Sequence, residues 1–319
     1  MKKKLNRREF LKSTSIAIAG LGAVSHSFNF PAFASSLSGK SKVILARGDA
    51  VISNRNVCNP QQTAALFDKA LLTLTGKGNA KEAWAAIGLA PSDTVAIKVN
   101  CNNWTILLAP HKELVGALCS SLMQVIPENN IIFYERTTSD LIDGGFQANK
   151  SNRGVRYFGN DEGGGYHPQE RLTRIITDTS TKIINLASLK CVDFPFGASV
   201  FMKNHIGSLV DEDMPRCHGN HRFLAGVSSR PSIKNKAILA LGDGLRATFQ
   251  RGVPWYWGGI VMGQDSVAAE YAAIQVMNEK RSQEGIAKME TPEYLRLAES
   301  EFGLGTCNPE KIDMVKISI

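Results

Sequence analysis

Short apolar runs rich in β-branched residues alternate along the chain with longer stretches in which apolar residues recur about every 3.6 positions. The short runs predict strands at residues 42–46, 94–99, 131–135, 182–186, 237–241 and 259–262. The longer stretches predict helices at residues 61–73, 80–87, 111–125, 266–280 and 292–300. This alternation is typical of an α/β fold, in which crossover helices connect the strands of a mostly parallel or mixed sheet.

The N-terminal segment differs from this pattern. Residues 1–34 contain six basic residues and one acidic residue, an apolar stretch at 15–24 that is short for a membrane span, and the small-residue pattern Ala32-Phe33-Ala34. The sequence NRREFLK at residues 6–12 closely resembles the twin-arginine export signal, with Asn6 where Ser or Thr is commoner. We therefore predict a signal peptide at 1–34.

This leader predicts the location and organisation of the protein. Export by the twin-arginine translocation machinery places a folded protein in the periplasm or otherwise outside the cytoplasm of a bacterium, and we expect no membrane span in the mature form. Residues 35–319 are predicted to form one α/β domain. A stretch rich in glycine, asparagine and aspartate at 141–170 leaves open whether that domain is a single unit or two lobes.

Charge narrows the range of partners. Lys and Arg number 37 against 29 Asp and Glu, a net charge of +8, and the leader accounts for five of these charges. The three that remain form no basic stripe, so we expect no nucleic-acid partner. A small-molecule ligand is the expected partner. Complete motifs of serine hydrolases, P-loop proteins and Rossmann dinucleotide-binding proteins are absent from the sequence.

The cysteines limit the possible cofactors. The six cysteines include no Cys-x-x-Cys pair, so we expect no iron–sulfur cluster held by this chain alone, and spacing does not determine a disulfide pairing. Folded export allows a cofactor to be loaded beforehand, and its identity stays open, with a divalent transition metal as one possibility.

The first candidate site segment is the strand that carries Lys98. An unpaired ammonium is costly to bury, so Lys98 lies either at a sheet edge or in a polar cleft. In a cleft it would bind an anion or act as a base. Asn100 follows it as a candidate substrate-binding residue, with Asn102 and Asn103 as further amides or as turn formers.

Two further segments bring polar groups together. Lys190 follows a predicted strand, and Lys203, Asn204 and His205 place a cation, an amide and an imidazole in consecutive positions. Histidine is a frequent acid, base or ligand, although a structural histidine is the alternative. We assign Lys203 and His205 as candidate catalytic residues, and Lys190 and Asn204 as candidate substrate-binding residues.

A glycine-flanked aspartate ends another predicted strand. Asp243, between two glycines, is a candidate catalytic residue, and Arg246 is a candidate substrate-binding residue. A structural turn is the alternative. Farther along, Asp265 or Ser266 is expected to cap the helix that follows.

An acidic, histidine-containing loop could ligate a transition metal. The candidate ligands are Asp211, Asp213, Cys217, His218 and His221. Their spacing matches no zinc or haem signature, and a solvated acidic loop is the alternative.

Five of these segments, in this order, resemble the family catalogued as domain of unknown function 362. The matching segments are VAIKVN at 95–100, IINLASLK at 183–190, MKNHIG at 202–207, GDGLR at 242–246 and GQDSVA at 263–268. The resemblance implies a fold but no reaction. Some members carry ferredoxin-like modules with closely spaced cysteines, which this chain lacks, and Ser266 stands where members usually have proline.

The residues favour an exported enzyme that acts on a small anionic or polyhydroxylated substrate. His205 would move the proton, with Asp243 or Lys98 as its partner, and lysines would bind the substrate. A noncatalytic metal- or cofactor-binding protein, such as a redox accessory protein, is the alternative from another class, and a solute- or partner-binding factor is a third. The enzyme hypothesis requires that these distant residues meet where the strands end.

Overall fold

The computed structural model describes residues 39–101, 108–192 and 196–319, and all of them belong to one compact unit. The predicted signal peptide, its twin-arginine motif, and Asn102 and Asn103 lie outside the described residues. No helix in the described part of the chain is long and apolar enough to cross a membrane.

Twelve strands form within the described residues. They are β1 (Ser41–Arg47), β2 (Val95–Lys98), β3 (Ile131–Tyr134), β4 (Arg156–Tyr157), β5 (Lys182–Ser188), β6 (Lys190–Cys191), β7 (Ala198–Ser199), β8 (Ala237–Gly244), β9 (Ala247–Gln250), β10 (Val253–Trp255), β11 (Gly259–Gly263) and β12 (Ile312–Ser318). All six predicted strands are present, with ends that differ by at most a few residues.

Nine α-helices form in the same part of the chain. They are α1 (Pro60–Thr75), α2 (Ala80–Ile87), α3 (Lys112–Leu122), α4 (Thr138–Asp143), α5 (Phe201–Asn204), α6 (His221–Ser228), α7 (Pro231–Lys236), α8 (Ser266–Gln283) and α9 (Glu293–Ser300). The five predicted helices correspond to α1, α2, α3, α8 and α9. Short 3-10 turns and one π-helical turn at Ile175–Thr179 occur between them.

Eight strands make one mixed sheet in the order β12-β1-β11-β8-β5-β2-β3-β4. The five neighbours from β8 to β4 run parallel, and β11 runs antiparallel to both β8 and β1. The prediction of an α/β fold with a parallel or mixed sheet is confirmed. Because β2, β3, β5 and β8 point the same way, the loops after them meet at one side of the sheet, which we call the carboxyl edge.

Both faces of the sheet are buried. Leu66, Trp84 and Leu118 of α1, α2 and α3 pack in one apolar cluster, and we name that side the α1 face. Helices α5 to α9 pack on the opposite side, the α8 face, where Ile274 and Tyr294 belong to a second cluster. Since successive strand residues point to opposite faces, the position of each polar side chain follows from its apolar neighbours.

Asp265 caps helix α8, as the sequence predicts. Its carboxylate accepts hydrogen bonds from the backbone N–H groups of Val267 and Ala268, and also from Thr306 and the Ser41 hydroxyl. Gly305 lies against this carboxylate with φ of 146°, where any Cβ would overlap the Asp265 oxygen. The cap therefore ties α8 to β1 and to the segment before β12.

The glycine-rich stretch at 141–170 is part of the sheet's periphery. It contains the end of α4, the strand β4, which pairs with β3, and a 3-10 turn at Asn160–Glu162. Sequence analysis describes this stretch as rich in turn-forming residues without a strand, because a strand of two residues is too short to show an alternation of apolar and polar positions.

Candidate active site

Asp243 and His111 form a close pair at the carboxyl edge. Oδ2 of Asp243, near the end of β8, accepts hydrogen bonds from Nδ1 of His111 at 2.8 Å and from the backbone N–H of His111 at 2.6 Å. Oδ1 accepts from the N–H of Leu245 at 3.0 Å. The carboxylate is therefore fixed, and it fixes the imidazole in turn. Nε2 points to the other side, where Oδ1 of Asn56 lies 3.2 Å away.

The protonation of His111 follows from its neighbours. Burial lowers the pKa of His111, and so does the charge of Arg246. The charge and hydrogen bond of Asp243, together with the charge of Glu113, outweigh these effects, so the pKa of His111 lies above its usual value. Both ring nitrogens face acceptor oxygens, an arrangement that suits the imidazolium. His111 therefore keeps its proton to a higher pH than a free histidine and is suited to donate it near neutrality.

Arg246 supplies a cation beside this pair. It lies two residues after β8, its side chain is partly buried, and its charge reaches His111. Its Nε atom is buried without a hydrogen-bond partner among the residues that the structure describes. Since a guanidinium donor without an acceptor is costly to bury, an anion bound here would be stabilised.

Cys58 lies near the pair but is not an activated nucleophile. Burial, the charges of Glu113 and Asp243, and a hydrogen bond to Glu113 raise the pKa of the Cys58 thiol to about 12. The sulfur is therefore a thiol at neutral pH, and thiol nucleophiles react as thiolates.

Lys98 is fully buried and occupies neither of the two predicted positions. Its ammonium donates to the backbone oxygen of Val99 at 2.6 Å and to Oδ1 of Asn204 at 3.3 Å, and it lies 3.0 Å from Oε1 of Glu135. An ammonium has three N–H donors, and all three have acceptors here. These contacts indicate a structural cation rather than a base open to substrate, which argues against the predicted catalytic role of Lys98.

Lys98 and Lys203 both lie near enough to Lys190 for their charges to act on it. Nζ of Lys190 donates to Oδ1 of Asn100 at 2.8 Å. Burial, and the charges of Lys98 and Lys203, lower the pKa of Lys190 to about 8, although Cys101 and Glu135 oppose this. Burial also lowers the pKa of Lys203, whose ammonium lies 5.1 Å from the ring centre of Phe196. We call Lys98, Lys190 and Lys203 the lysine cluster.

Asn204 joins this cluster to the sheet. Its amide donates to the backbone oxygen of Lys98 at 3.1 Å and to Oδ1 of Asn185 at 2.8 Å. The predicted juxtaposition of Lys98, Asn100 and Lys190 with the 203–205 segment is therefore present, although Asn204 positions Lys98 instead of facing a substrate.

The lysine cluster and the His111–Asp243 pair lie at the same edge but on different faces. Lys98 follows Ala96 on the α8 face, and Asp243 follows Leu241 on the α1 face. They are linked because Ser188, at the end of β5, pairs with Asp243, and Leu189 donates its N–H to the Asp243 backbone oxygen. The residues that were expected to meet at one place where the strands end therefore form two groups, one on each face of the sheet.

The burial of His205 argues against its predicted catalytic role. Burial, with the charge of Lys98, lowers its pKa to about 3, so the ring is neutral at ordinary pH. Its Nδ1 has no hydrogen-bond partner within the described chain, and the residue lines a cavity of about 30 Å³ together with Ser228, whose hydroxyl is also unpaired. A cavity of that size has room for a water molecule, for which the His205 and Ser228 atoms are polar partners.

The structure does not bring the five predicted metal ligands together. Oδ2 of Asp213 lies 2.6 Å from Arg171, and Oδ1 lies 3.2 Å from Arg216. The ring of His221 packs at a tilt against that of Phe196, with the ring centres 4.8 Å apart. The other three predicted ligands are the exposed Asp211 and His218 and the buried Cys217. No group of three His, Cys, Asp or Glu side chains in the described ranges is placed to hold a metal ion.

His111 and Glu135 are the residues that sequence analysis missed. The pattern placed His111 at the start of a helix, and the structure makes it the N-cap residue of α3, beside Asp243 at the carboxyl edge. A titratable residue at the start of the first predicted helix after a strand that carries a lysine is the signal that identifies it. Glu135 is signalled by its place directly after β3, beside Lys98 on β2.

No family model, no curated protein and no solved structure matches the chain. The resemblance to domain of unknown function 362 stays a prediction.

Proposed function

We propose that the protein is an enzyme that transfers a proton to or from a small anionic substrate at the carboxyl edge of the sheet. His111 acts as the acid and base, Asp243 orients its ring and stabilises its charge, and Arg246 attracts the anion. The observation that carries this proposal is the double contact of Asp243 with the backbone and ring of His111.

This contact supports proton transfer for a geometric reason. Because Nδ1 is committed to Asp243, Nε2 is the nitrogen that meets a substrate, and its partner Asn56 belongs to an exposed turn. An amide oxygen at 3.2 Å is replaceable by a substrate oxygen of similar polarity. A positioned imidazole held by a carboxylate is a recurrent general acid and base.

Deuterium exchange tests the proposal across a range of candidate substrates. A panel of small carboxylates, oxo acids and phosphate esters is incubated with the protein in D₂O, and loss of C–H proton signals is followed by NMR. We expect the protein to accelerate exchange in at least one compound. His111→Gln should slow this exchange by about 100-fold or more, because a positioned acid–base group contributes that much.

The control variant is His218→Gln, which changes an exposed histidine of the acidic loop. It should exchange the same compound at the wild-type rate. A panel without accelerated exchange, or a His111→Gln variant as fast as the wild type, would refute the proposal.

We also propose that the protein is exported in the folded state by the twin-arginine pathway. The sequence at residues 6–12 supports this. Replacing Arg7 and Arg8 together by lysine should keep the protein in the cytoplasm of a bacterial host, as measured by immunoblots of cell fractions. Lys3→Arg and Lys4→Arg together are the matched control and should leave export unchanged. Equal periplasmic amounts of both variants would contradict the assignment.

A further inference from the structure

A groove on the α1 face begins beside His111. It lies between helices α1 and α3 and has a volume of about 460 Å³. This volume is within the range of about 300–1,000 Å³ that is usual for small-molecule sites. Lys112 and Glu113, the two residues directly after His111, line one end of the groove. The groove therefore continues from the candidate active site.

Contacts at this end hold the starts of the two helices together. Nε2 of His111 lies 3.2 Å from Oδ1 of Asn56, in the turn before α1, and the Cys58 thiol is hydrogen-bonded to Glu113. The lining on α1 extends over residues 60–68, which is about 12 Å along the helix axis. A molecule whose reacting end lies at His111 therefore has room for a tail between the helices.

Small residues keep this space open. Ala64, Gly116 and Ala117 line the groove, and a Cβ added to Gly116 would meet no atom within 4 Å. Gly116 lies inside α3, so the side chain that it lacks would extend from the helix into free space.

The polar side chains along the groove define the kind of tail that fits it. Asp68 and Glu113 offer carboxylate acceptors, and Lys112 offers ammonium donors. The Ser120 hydroxyl and the Gln124 amide offer both. An apolar tail would take these groups out of water without replacing their hydrogen bonds, which is costly. A second anionic group is disfavoured, because the lining has two carboxylates and one ammonium. Hydroxyl groups are neutral, donate and accept, and therefore match this lining.

We propose that this groove binds the polyhydroxylated tail of a sugar acid, which deepens and rests on the proposed function. The carboxylate end lies near Arg246, whose buried Nε has no hydrogen-bond partner among the described residues. The hydroxyl-bearing carbons extend along α3, past Gly116 towards Ser120. The substrate class is thereby narrowed from small anions in general to aldonic and uronic acids and their oxo derivatives.

Thiol footprinting tests binding in the groove without requiring a reaction. Ser120→Cys puts a cysteine at an exposed position of the lining, and its alkylation by iodoacetamide is followed by peptide mass spectrometry. We expect D-gluconate, D-galactonate or D-glucuronate, in the millimolar range, to slow this alkylation. The slowing should reach about threefold or more, because a ligand at twice its dissociation constant leaves about a third of the sites free. Glycolate, which has the carboxylate end without the tail, should leave the rate unchanged.

Two controls accompany the footprint. Ser282→Cys changes an exposed serine near the end of α8, outside the groove, and should be alkylated at the same rate with and without the sugar acids. The compound 6-aminohexanoate joins a carboxylate to a cationic tail, and it should not protect Ser120→Cys.

A second variant tests the tail in the deuterium exchange assay. 2-Keto-D-gluconate and hydroxypyruvate share an oxo acid end, and only the first has the tail. Gly116→Trp fills the groove from an open position and should slow exchange of 2-keto-D-gluconate by about tenfold or more relative to hydroxypyruvate, because only contacts with the tail are lost. Gly78→Trp, also at an open position, should exchange both compounds as the wild type does.

The outcomes separate the two proposals. The groove proposal is overturned if none of the three sugar acids protects Ser120→Cys, if Ser282→Cys is protected equally, or if 6-aminohexanoate alone protects. An equal effect of Gly116→Trp on both oxo acids would also overturn it. If deuterium exchange still depends on His111 in those cases, the proposed function stands without the groove. Conversely, protection that persists in His111→Gln while no compound exchanges would leave a sugar acid site and refute the proposed function.

Discussion

Replacing Lys98 by methionine should lower the free energy of unfolding by about 3–5 kcal/mol. The side chain of Lys98 is wholly buried, and its partner Glu135 is almost wholly buried 3.0 Å away. Methionine fills a similar volume but leaves the carboxylate without a counter-charge in the sheet, and it leaves the oxygens of Val99 and Asn204 without this donor. Removing one partner of a buried ion pair lowers the stability by more than the intact pair contributes, because the remaining charge stays buried without a partner.

Urea unfolding followed by circular dichroism measures this effect. The double variant Lys98→Met with Glu135→Gln removes both charges and should recover part of the lost free energy of unfolding. Lys316→Met breaks an exposed pair with Glu279 and should cost less than about 1 kcal/mol. If Lys98→Met unfolds at the wild-type urea concentration, Lys98 is not the structural cation that its three contacts indicate.

Replacing Glu270 by glutamine should make the protein less sensitive to pH. Glu270 lies in the second turn of α8 and accepts a hydrogen bond from the Tyr294 hydroxyl at 2.7 Å and another from the backbone N–H of Met202 at 2.6 Å. Burial raises its pKa from 4.5 to about 7, although these hydrogen bonds oppose the shift. Glutamine has the same shape and retains an oxygen for the Met202 N–H.

The direction of the pH effect follows from proton binding. The folded state holds the proton of Glu270 up to about pH 7, whereas the unfolded chain releases it near pH 4.5. The stability that this group contributes is therefore fully present below pH 4.5 and is lost as pH rises through 7, by about 3 kcal/mol in total.

Urea unfolding of both proteins at several pH values between 4.5 and 8 tests this directly. The stability of Glu270→Gln relative to the wild type should increase by about 3 kcal/mol across this range. Glu290→Gln, at an exposed position, should show a constant difference. A constant difference for Glu270→Gln as well would show that the carboxyl group titrates normally in the fold.

The sequence predicted the frame of the sheet because its central strands are continuous apolar runs. In β2, β3 and β5 nearly every residue is buried, which produces a signal that needs no partner to be recognised. The edge strand β12 alternates buried and exposed residues near the end of the described chain, and it was missed. Its place beside β1 depends on a contact between distant segments, which periodicity does not contain.

The site was predicted in part for a similar reason. Lys98 and Lys190 come close together because β5 lies beside β2 in the sheet, and the position of both residues at or just after a strand end was visible in the sequence. The chemical roles of the site residues were not visible in the sequence. Whether a histidine is an accessible acid, like His111, or a sealed neutral ring, like His205, depends on burial and on the partner that tertiary structure supplies.

The first strand of the sheet has both of its neighbours far along the chain. Val43 of β1 pairs with Gly263 of β11 and with Met314 of β12. A ribosome delivers these segments in order, so β1 emerges as an apolar strand that lacks its full set of hydrogen-bonding neighbours until synthesis has passed residue 318. This part of the sheet is therefore completed only after β12 has been synthesised, and we expect a chaperone that shields β1 until then to raise the yield of folded protein.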